Sequence, residues 1–525
     1  MFWADRIAKE IQDTKGERAQ AKPLLIRDEK TLSGRVHIGS MRGVAIHGVI
    51  AEVLTEYGVA NEYQYELNDF DDFDSIPGYL DEEKYREHLG KPLYAVPSPE
   101  PDFDSYADYY GDEFMRVHKK AGFNPSYYTA RELYASGRMD ALIKTALEHA
   151  ADIRRIQKEV SGSQKEDSWL PISVVCEQCG KIKTTRAFDF DGTTVAYVCD
   201  QSPYGAAPCG KEARISPYGG TSKLFWKADW AAKWVAVGVD IEGAGKDHST
   251  KGGSRDVANH IVREVFGNEP PFDIPYEFFL VGGKKMSSSK GKGSTAKEMS
   301  DLFPAPVLRL VLIGKDINQQ IDVDPSGDSV PRMYDWYDDL AEKVRQGVAD
   351  DFTRLYALAQ LPENRAELTA PWQFRFSQVA FVVQMPHLSL LAEAEAVKGE
   401  ALTNEEQVLL EERAEYARFW LSTYAPESYR YEIHAEMPEI EFSGAQKQAL
   451  SLLASFVETP RTGEELHHRL HELKTEVPIE PKELFGALYQ LFLGRTSGPK
   501  AGWFLSVLPQ DLVRERLLAA SEQKG

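Results

Sequence analysis

Pro23-Leu24-Leu25-Ile26, followed by a polar turn that carries Ser33-Gly34-Arg35-Val36-His37-Ile38-Gly39-Ser40, decides the fold. The apolar tetrad predicts a buried strand, the polar stretch a loop, and the segment from Ser40 to Tyr57 a helix. A second strand is predicted over Glu62–Leu67, ending in the acidic run Asn68-Asp69-Phe70-Asp71-Asp72-Phe73-Asp74. Strand, loop, helix and strand form a βαβ unit, and in open parallel sheets the carboxyl edge holds the ligand. Both the glycine-containing turn and the acidic run fall at that edge.

Helical periodicity prevails from Ser105 to Val160, with Leu142, Ala146, Ile153 and Ile156 spaced by three or four. A cysteine-bearing segment interrupts it near Leu170. The α/β pattern resumes after Pro217 with Lys223–Trp234, an apolar run Trp234–Val239, a loop Gly243-Ala244-Gly245-Lys246-Asp247-His248 and a helix over Asp256–Phe266. Beyond Pro331 amphipathic helices dominate, two of them opened by capping boxes at Thr403/Glu406 and Thr462/Glu465. The expected architecture is an α/β Rossmann-type catalytic domain in two halves, 1–169 and 217–330. A Cys-rich module is inserted at 170–216, and an all-α C-terminal domain occupies 331–525.

A chain of 525 residues suits several packed units, and no apolar run reaches the 18 or so residues of a membrane span. Residues 1–22 mix charges throughout and lack the apolar stretch of a secretory signal, so a cytoplasmic protein without a membrane partner is expected. With 82 acidic against 61 basic residues the net charge is -21, which excludes a surface coated in phosphate-binding charge. Any nucleic-acid partner must use a local patch. The four cysteines, Cys176, Cys179, Cys199 and Cys209, cluster as one structural zinc site would require. A site using some of these thiols, or a reduced set without metal, is the alternative.

Two runs carry chemistry. In the first, Gly34, Gly39 and Ser40 surround His37 at a predicted helix N-terminus, where backbone N–H groups attract phosphate and the imidazole can donate to phosphate oxygens. In the second, Lys284-Lys285-Met286-Ser287-Ser288-Ser289-Lys290-Gly291, ammonium groups can neutralise charge developing on departing pyrophosphate. The bland alternatives are a histidine in an ordinary turn and a solvated basic linker. Trp226 and Trp230, at i and i+4, read more often as core residues than as a ligand platform. Asp247 and His248 sit in a loop after a strand, where they can touch ATP or a second substrate or be purely structural.

Together the two runs resemble the paired signatures of class I aminoacyl-tRNA synthetases, the first usually ending in histidine and the second usually reading Lys-Met-Ser-Lys-Ser. Ser40 and Ser288 depart from that pattern, and class I lysyl-tRNA synthetases are similar to this chain at both departures. Trp226-Lys227-Ala228-Asp229-Trp230, Gly245-Lys246-Asp247-His248 with Gly252-Gly253-Ser254, Tyr424-Ala425-Pro426-Glu427 and Gly494-Arg495-Thr496-Ser497-Gly498-Pro499 extend the resemblance. It implies ATP with Mg2+, lysine and tRNA(Lys) as partners, and an anticodon-binding role for 331–525. It implies catalytic roles for His37, Lys285 and Lys290. ATP contacts are implied for Gly34, Gly39, Ser40, Asp247, His248, Lys285, Met286, Ser287, Ser288 and Ser289.

Lysine in a partly dry pocket needs an anion for its ε-ammonium. Glu29, Asp69, Asp71 and Asp72 are the candidates, with a solvated loop face as the alternative. The resemblance adds Thr31, Trp226, His248 and Tyr276 around the amino acid, and Glu29 departs from the glycine common there. A monomer is expected. The rival readings are another class I synthetase, above all an arginyl one, and a non-catalytic tRNA-binding paralogue.

Overall fold

A computed structural model describes residues 1–285, 295–385, 388–431, 433, 437 and 440–523. At its centre are five parallel strands: β1 (Leu24–Thr31), β2 (Asn61–Asn68), β3 (Ser126–Thr129), β4 (Ile241–Gly245) and β5 (Phe272–Tyr276). Their spatial order is β5-β4-β1-β2-β3. The chain leaves β1 in one direction for β2 and β3 and returns to its other side for β4 and β5. That reversal beside β1 opens a crevice at the strands' carboxyl ends, where doubly wound sheets hold ligands.

Local chemistry explains these elements and where they differ from expectation. Lys22 is extended, φ -161° and ψ 160°, as a residue before proline is driven to be, so the helix Trp3–Ala21 stops and β1 begins. β1 outruns its apolar tetrad and pairs with β2 from Leu24 to Thr31. Arg27, Asp28, Glu29 and Lys30, which read as the start of a turn, are therefore strand residues. β3, Ser-Tyr-Tyr-Thr, lies inside the stretch where helical periodicity was expected to prevail. It has no aliphatic residue to mark it, and helices occupy Tyr106–Lys120, Ala130–Ala135, Asp140–Glu148 and Ala150–Ser161 around it.

The predicted helix after the first signature spans Ser40–Glu56, with Met41, Val44, Ile46, Val49 and Ile50 fully buried. The apolar run Trp234–Val239 begins as the last turn of a helix Trp226–Val237, which is closed by Gly238 at φ 82°, the left-handed conformation glycine adopts without a Cβ clash. Gly243 to Gly245 belong to β4 rather than to a loop. Glycine at 243 serves close packing: a Cβ there would lie 2.5 Å from the Ile274 carbonyl oxygen and 3.1 Å from His47 Nε2. His47 Nδ1 meets the Gly43 carbonyl at 2.8 Å and lies 3.3 Å from Asp28, while its Nε2 accepts the Gly243 N–H at 2.7 Å, which ties the helix to β4.

The cysteine segment leaves and rejoins through an antiparallel ladder, Ile172–Val174 against Ser222–Leu224, which brings its two ends together. Within it Thr185–Phe190, Val195–Cys199 and Glu212–Ile215 form a three-stranded antiparallel sheet. The chain forms two compact units, Met1–Asp324 with Asp339–Ala370, and Pro325–Asp338 with Pro371–Gly525. The elements of the second are helical among the described residues, and both expected capping boxes form there. No helix among the described residues is long and apolar enough to cross a membrane.

Gly243→Ala is expected to destabilise the protein by about 2 kcal/mol, since backbone cannot yield as a flexible side chain can. Denaturant unfolding measures it, and a loss below about 0.5 kcal/mol would contradict this packing.

Candidate active site

β1 alternates, so Arg27 and Glu29 face one side of the sheet and Asp28 the other. Arg27 has no solvent exposure. Its Nη1 donates to both oxygens of Glu242 at 2.9 Å, its Nη2 to Glu66 at 2.7 Å and to Glu29, and its Nε to the Tyr128 hydroxyl at 2.8 Å. Lys233, fully buried on the helix Trp226–Val237, donates to Glu66 at 2.5 Å and pairs with Asp229 at 2.9 Å and Glu29 at 3.5 Å. Lys223 joins through Asp71 and, at 3.7 Å, Asp229. The indole N–H groups of Trp230 and Trp234 complete Glu242 at 2.6 and 3.0 Å.

These ion pairs join three cations, Arg27, Lys223 and Lys233, to five carboxylates, Glu29, Glu66, Asp71, Asp229 and Glu242. The network is short of positive charge. Burial draws the ammonium of Lys30, next along β1, below the usual lysine range against the pull of Asp28, Asp71 and Glu29. Glu29 is the carboxylate of this network whose pKa is raised. Burial pushes its carboxyl above the ordinary range against the pull of Lys233 and Arg27, with Glu66 and Glu242 adding to the rise.

Around the first signature, the Tyr106 hydroxyl donates to the Ser33 carbonyl at 3.2 Å and the Tyr79 hydroxyl accepts the Arg35 N–H at 2.9 Å. Gly34 has φ 136°, and a Cβ on it would lie 2.6 Å from the Tyr79 hydroxyl, so glycine is required twice over. Gly39 is the residue before the helix, and Ser40 is its first residue. The Val36 carbonyl accepts the Ala296 N–H at 2.7 Å, and His37 pairs with Thr295 in an isolated antiparallel bridge. The first signature is thus tied to the chain just beyond the second. Phe279–Val281 and Lys284–Lys285 form a hairpin whose turn residues, Gly282 and Gly283, have φ of 58° and 73°. Met286, Ser287, Ser288, Ser289 and Lys290 lie outside the described residues.

The acidic run is not a solvated face. Asp71 accepts from Thr31 at 2.6 Å, Asn68 at 3.1 Å and Lys223; burial opposes its charge, but Lys223 outweighs that and holds the carboxyl below its usual range. Asp72 pairs with Lys183 at 3.4 Å and accepts from the Tyr204 hydroxyl, so it turns toward the cysteine module. Asp69 is buried, accepts the Arg131 N–H at 2.9 Å and is pushed up to about 6 by burial. The two tryptophans divide: Trp230 is core at 3% exposure, whereas Trp226, 39% exposed, borders a cavity with Thr31 and Asp71. Their rings stack at 5.0 Å, and His248 lies about 6 Å from both. Asp247, next to it in the chain, is exposed. The Tyr276 hydroxyl and Asp28 Oδ2 converge on Gly43, each within 2.8 Å of where a Cβ would stand.

Arg27, Glu66, Lys233, Glu242, Tyr79 and Tyr106 were not visible as site residues in the sequence. The one signal was the density of charge in Arg27-Asp28-Glu29-Lys30, which a surface turn would also carry.

The four thiols lie within 4.8 Å of one another, with Cys176 and Cys209 at 3.5 Å and Cys179 and Cys199 at 3.8 Å. Four sulfurs about 2.3 Å from a tetrahedral zinc stand about 3.8 Å apart, so the set fits that ion. Burial would raise the Cys176 thiol, but the N–H groups of Cys179 and Gln178 outweigh it and bring it to about 7.

Residues 1–362 match the family model of class I (K) tRNA synthetases. The chain belongs to that family. A lysine–tRNA ligase of Methanosarcina acetivorans is 34% identical over 99% of this chain and 98% of its own length. One from Archaeoglobus fulgidus is 31% identical over 99% and 100%. A glutamate–tRNA synthetase structure from Elizabethkingia anophelis, 11% identical, covers 96% of this chain and 100% of its own at a TM-score of 0.40, too loose to carry any inference. For this family member the two signatures, the acidic run and the buried network are all carried by the unit that contains the parallel sheet.

The network makes stability pH-dependent. Burial opposes the charge of Glu66, but Lys233 and Arg27 overcome it and hold the carboxyl at about 2 against an ordinary 4.5. A depressed carboxyl contributes fully above its unfolded value, so about 3 kcal/mol is expected to be lost as pH falls from about 4.5 to 2. Glu66→Gln, which removes the carboxylate bridging Arg27 and Lys233 while each keeps other acidic partners, should cost about 1–3 kcal/mol at pH 7 and flatten that acid slope. Equal slopes for parent and variant in denaturant unfolding would contradict the pairing.

Proposed function

We propose that the chain charges tRNA(Lys) with lysine in two steps. The lysine carboxylate attacks the α-phosphorus of ATP, forming the mixed anhydride while the bond to the bridging oxygen breaks and pyrophosphate leaves. A terminal ribose hydroxyl of tRNA then attacks the anhydride carbonyl, an ester forms and AMP departs. Neither step needs a covalent enzyme intermediate, so positioning and charge stabilisation do the catalysis. What carries the assignment of the amino acid is the buried network with two more carboxylates than cations, in a chain matched end to end by lysine–tRNA ligases. A substrate ammonium supplies the missing charge, and Glu29, 11% exposed and raised in pKa, is where it is most needed.

Thr31, Asp71, Trp226, His248 and Tyr276 complete the amino-acid pocket in this proposal, with Asp71 oriented by Thr31 and Lys223. Asp69 acts on loop shape instead, since it accepts the Arg131 N–H, while Asp72 borders the same cavity and is held by Lys183 and Tyr204. His37, Gly34, Gly39 and Ser40 meet the phosphates at the helix N-terminus, with Asp247 nearby, and Lys285 and Lys290 act with Met286 to Ser289 as pyrophosphate leaves. Mg2+ enters with ATP as its counter-ion. Cys176, Cys179, Cys199 and Cys209 would hold zinc, which supplies a structural cross-link for a module with little core of its own. The helical unit that includes 371–525 reads the anticodon.

Lysine-dependent ATP–pyrophosphate exchange, run against arginine and the other amino acids, tests the assignment. Lysine alone is expected to support exchange. Lys285→Ala should slow it about a hundredfold while lysine affinity stays within about twofold, because the charge it meets develops in the transition state. Exchange with arginine instead of lysine, or an unchanged rate for the variant, would overturn the respective role.

A further inference from the structure

Arg42 stands in the first turn of the helix Ser40–Glu56, three residues past Gly39, and has no solvent exposure. Unlike Arg27, it forms no ion pair among the described residues. Its Nη1 donates to the Leu312 carbonyl at 2.6 Å, and its Nη2 to the carbonyls of Asp316 at 3.0 Å and of Lys315 and Gln319 at 3.4 Å. Its buried Nε has no hydrogen-bond partner. Burial draws the guanidinium down to about 10 against the pull of Tyr276 and Asp316, so it is still charged at neutral pH.

A helix C-terminus draws a cation to its orphan carbonyls, and Leu312 belongs to the last turn of the helix Ala305–Ile313, so capping explains one of these bonds. The other three grip the chain that follows. That chain leads to the second signature. The Ile317 carbonyl accepts the Glu277 N–H at 2.7 Å, next to Tyr276. Ile321–Asp322 then pairs in parallel with Phe279–Val281, which pairs in turn with Lys284–Lys285. Asp322 closes the hairpin by accepting the Gly283 N–H at 3.0 Å. The bond from Ala296 to Val36 ties the chain after the second signature to the first, and Arg42 ties the strands before it, all within the unit that contains the parallel sheet.

We propose that Arg42 is a positioning residue for adenylate formation, which holds the strand Lys284–Lys285 in fixed relation to the helix that begins at Ser40. A buried cation met only by main-chain carbonyls is a costly way to fill space, and an apolar side chain would pack there at less expense. What the guanidinium adds is a rigid fork of donors that fixes a helix end and the loop after it at once. Stabilisation of departing pyrophosphate depends steeply on where the ammonium of Lys285 is delivered, and a misplacement of about 1 Å can cost about a hundredfold in rate. The inference rests on the tRNA-charging function proposed above and concerns its first step alone.

Arg42→Lys, with Asp322→Ala at the exposed far end of the same path, tests it in the full chain. Lysine-dependent ATP–pyrophosphate exchange, run with tRNA present, gives kcat and the KM for ATP. Calorimetry gives lysine affinity, and each substitution is also combined with Lys285→Ala. Arg42→Lys is expected to lower kcat about tenfold and Asp322→Ala about threefold, with lysine affinity within about twofold of the parent. In Lys285→Ala each should cost less than about twofold, because no ammonium is left to misplace. Unchanged kcat in both variants, losses that multiply with that of Lys285→Ala, or a fall in lysine affinity as large as the fall in rate would overturn the inference while leaving the charging function standing. If Arg42→Lys does not fold, the surface variant Asp322→Ala decides by the same readings. A parent chain without lysine-dependent exchange would overturn the function and this inference together.

Discussion

A guanidinium without solvent contact on the middle strand of the sheet constrains everything around it. Arg27 cannot shed its charge, and an unpaired ion buried there costs several kcal/mol, so each of its donors must meet an acceptor. Glu66 from β2, Glu242 from β4, Glu29 from its own strand and the Tyr128 hydroxyl from β3 supply them. One side chain thereby fixes the register of four strands. Glu242 is in turn completed by two indoles of the helix Trp226–Val237, and Glu66 by Lys233 of the same helix, so that helix cannot slide without breaking the network. Rigidity of this kind is what a site that works by positioning needs.

That same arrangement explains which parts of the sequence were legible. Apolar runs and caps behaved as expected: Leu24 to Ile26, the helix from Ser40, β2, and the capping boxes at Thr403 and Thr462 follow from periodicity and local hydrogen bonding. Charged Arg27 to Lys30 hid most of β1, because a strand whose side chains pair internally looks like a turn in one dimension. Ser126 to Thr129 had no aliphatic residue to announce β3. Gly243 and Gly245 read as a loop, although what glycine supplies at 243 is room for Ile274 and His47.

At the site, short-range motifs were legible and long-range partners were not. His37, Asp71 and the four thiols were candidates from spacing and chemistry, and Trp226 was one only through the resemblance. Lys233, Glu66 and Glu242 could not, since their meaning lies in contacts across 167 and 215 residues of chain. The acidic run shows the intermediate case. Its residues pointed to one edge of the sheet, yet Asp71 faces Thr31 and Lys223, Asp72 faces the cysteine module, and Asp69 is buried against Arg131. Only geometry could divide these similar carboxylates into different roles.

From the buried network to substrate choice is one step of electrostatics. Three cations cannot balance five carboxylates, and burial, with Glu66 and Glu242 adding to it, raises the pKa of Glu29, a network member with a partly exposed side chain. A cationic substrate relieves the imbalance and a neutral isostere does not, which is how a charge-poor pocket becomes selective. Calorimetric binding of lysine and of norleucine to the parent and to Glu29→Gln tests this most directly. Lysine affinity should fall about 30-fold, the equivalent of about 2 kcal/mol, while norleucine affinity is unchanged. Equal effects on the two ligands, or none on either, would contradict the claim that Glu29 and its buried partners select the ammonium.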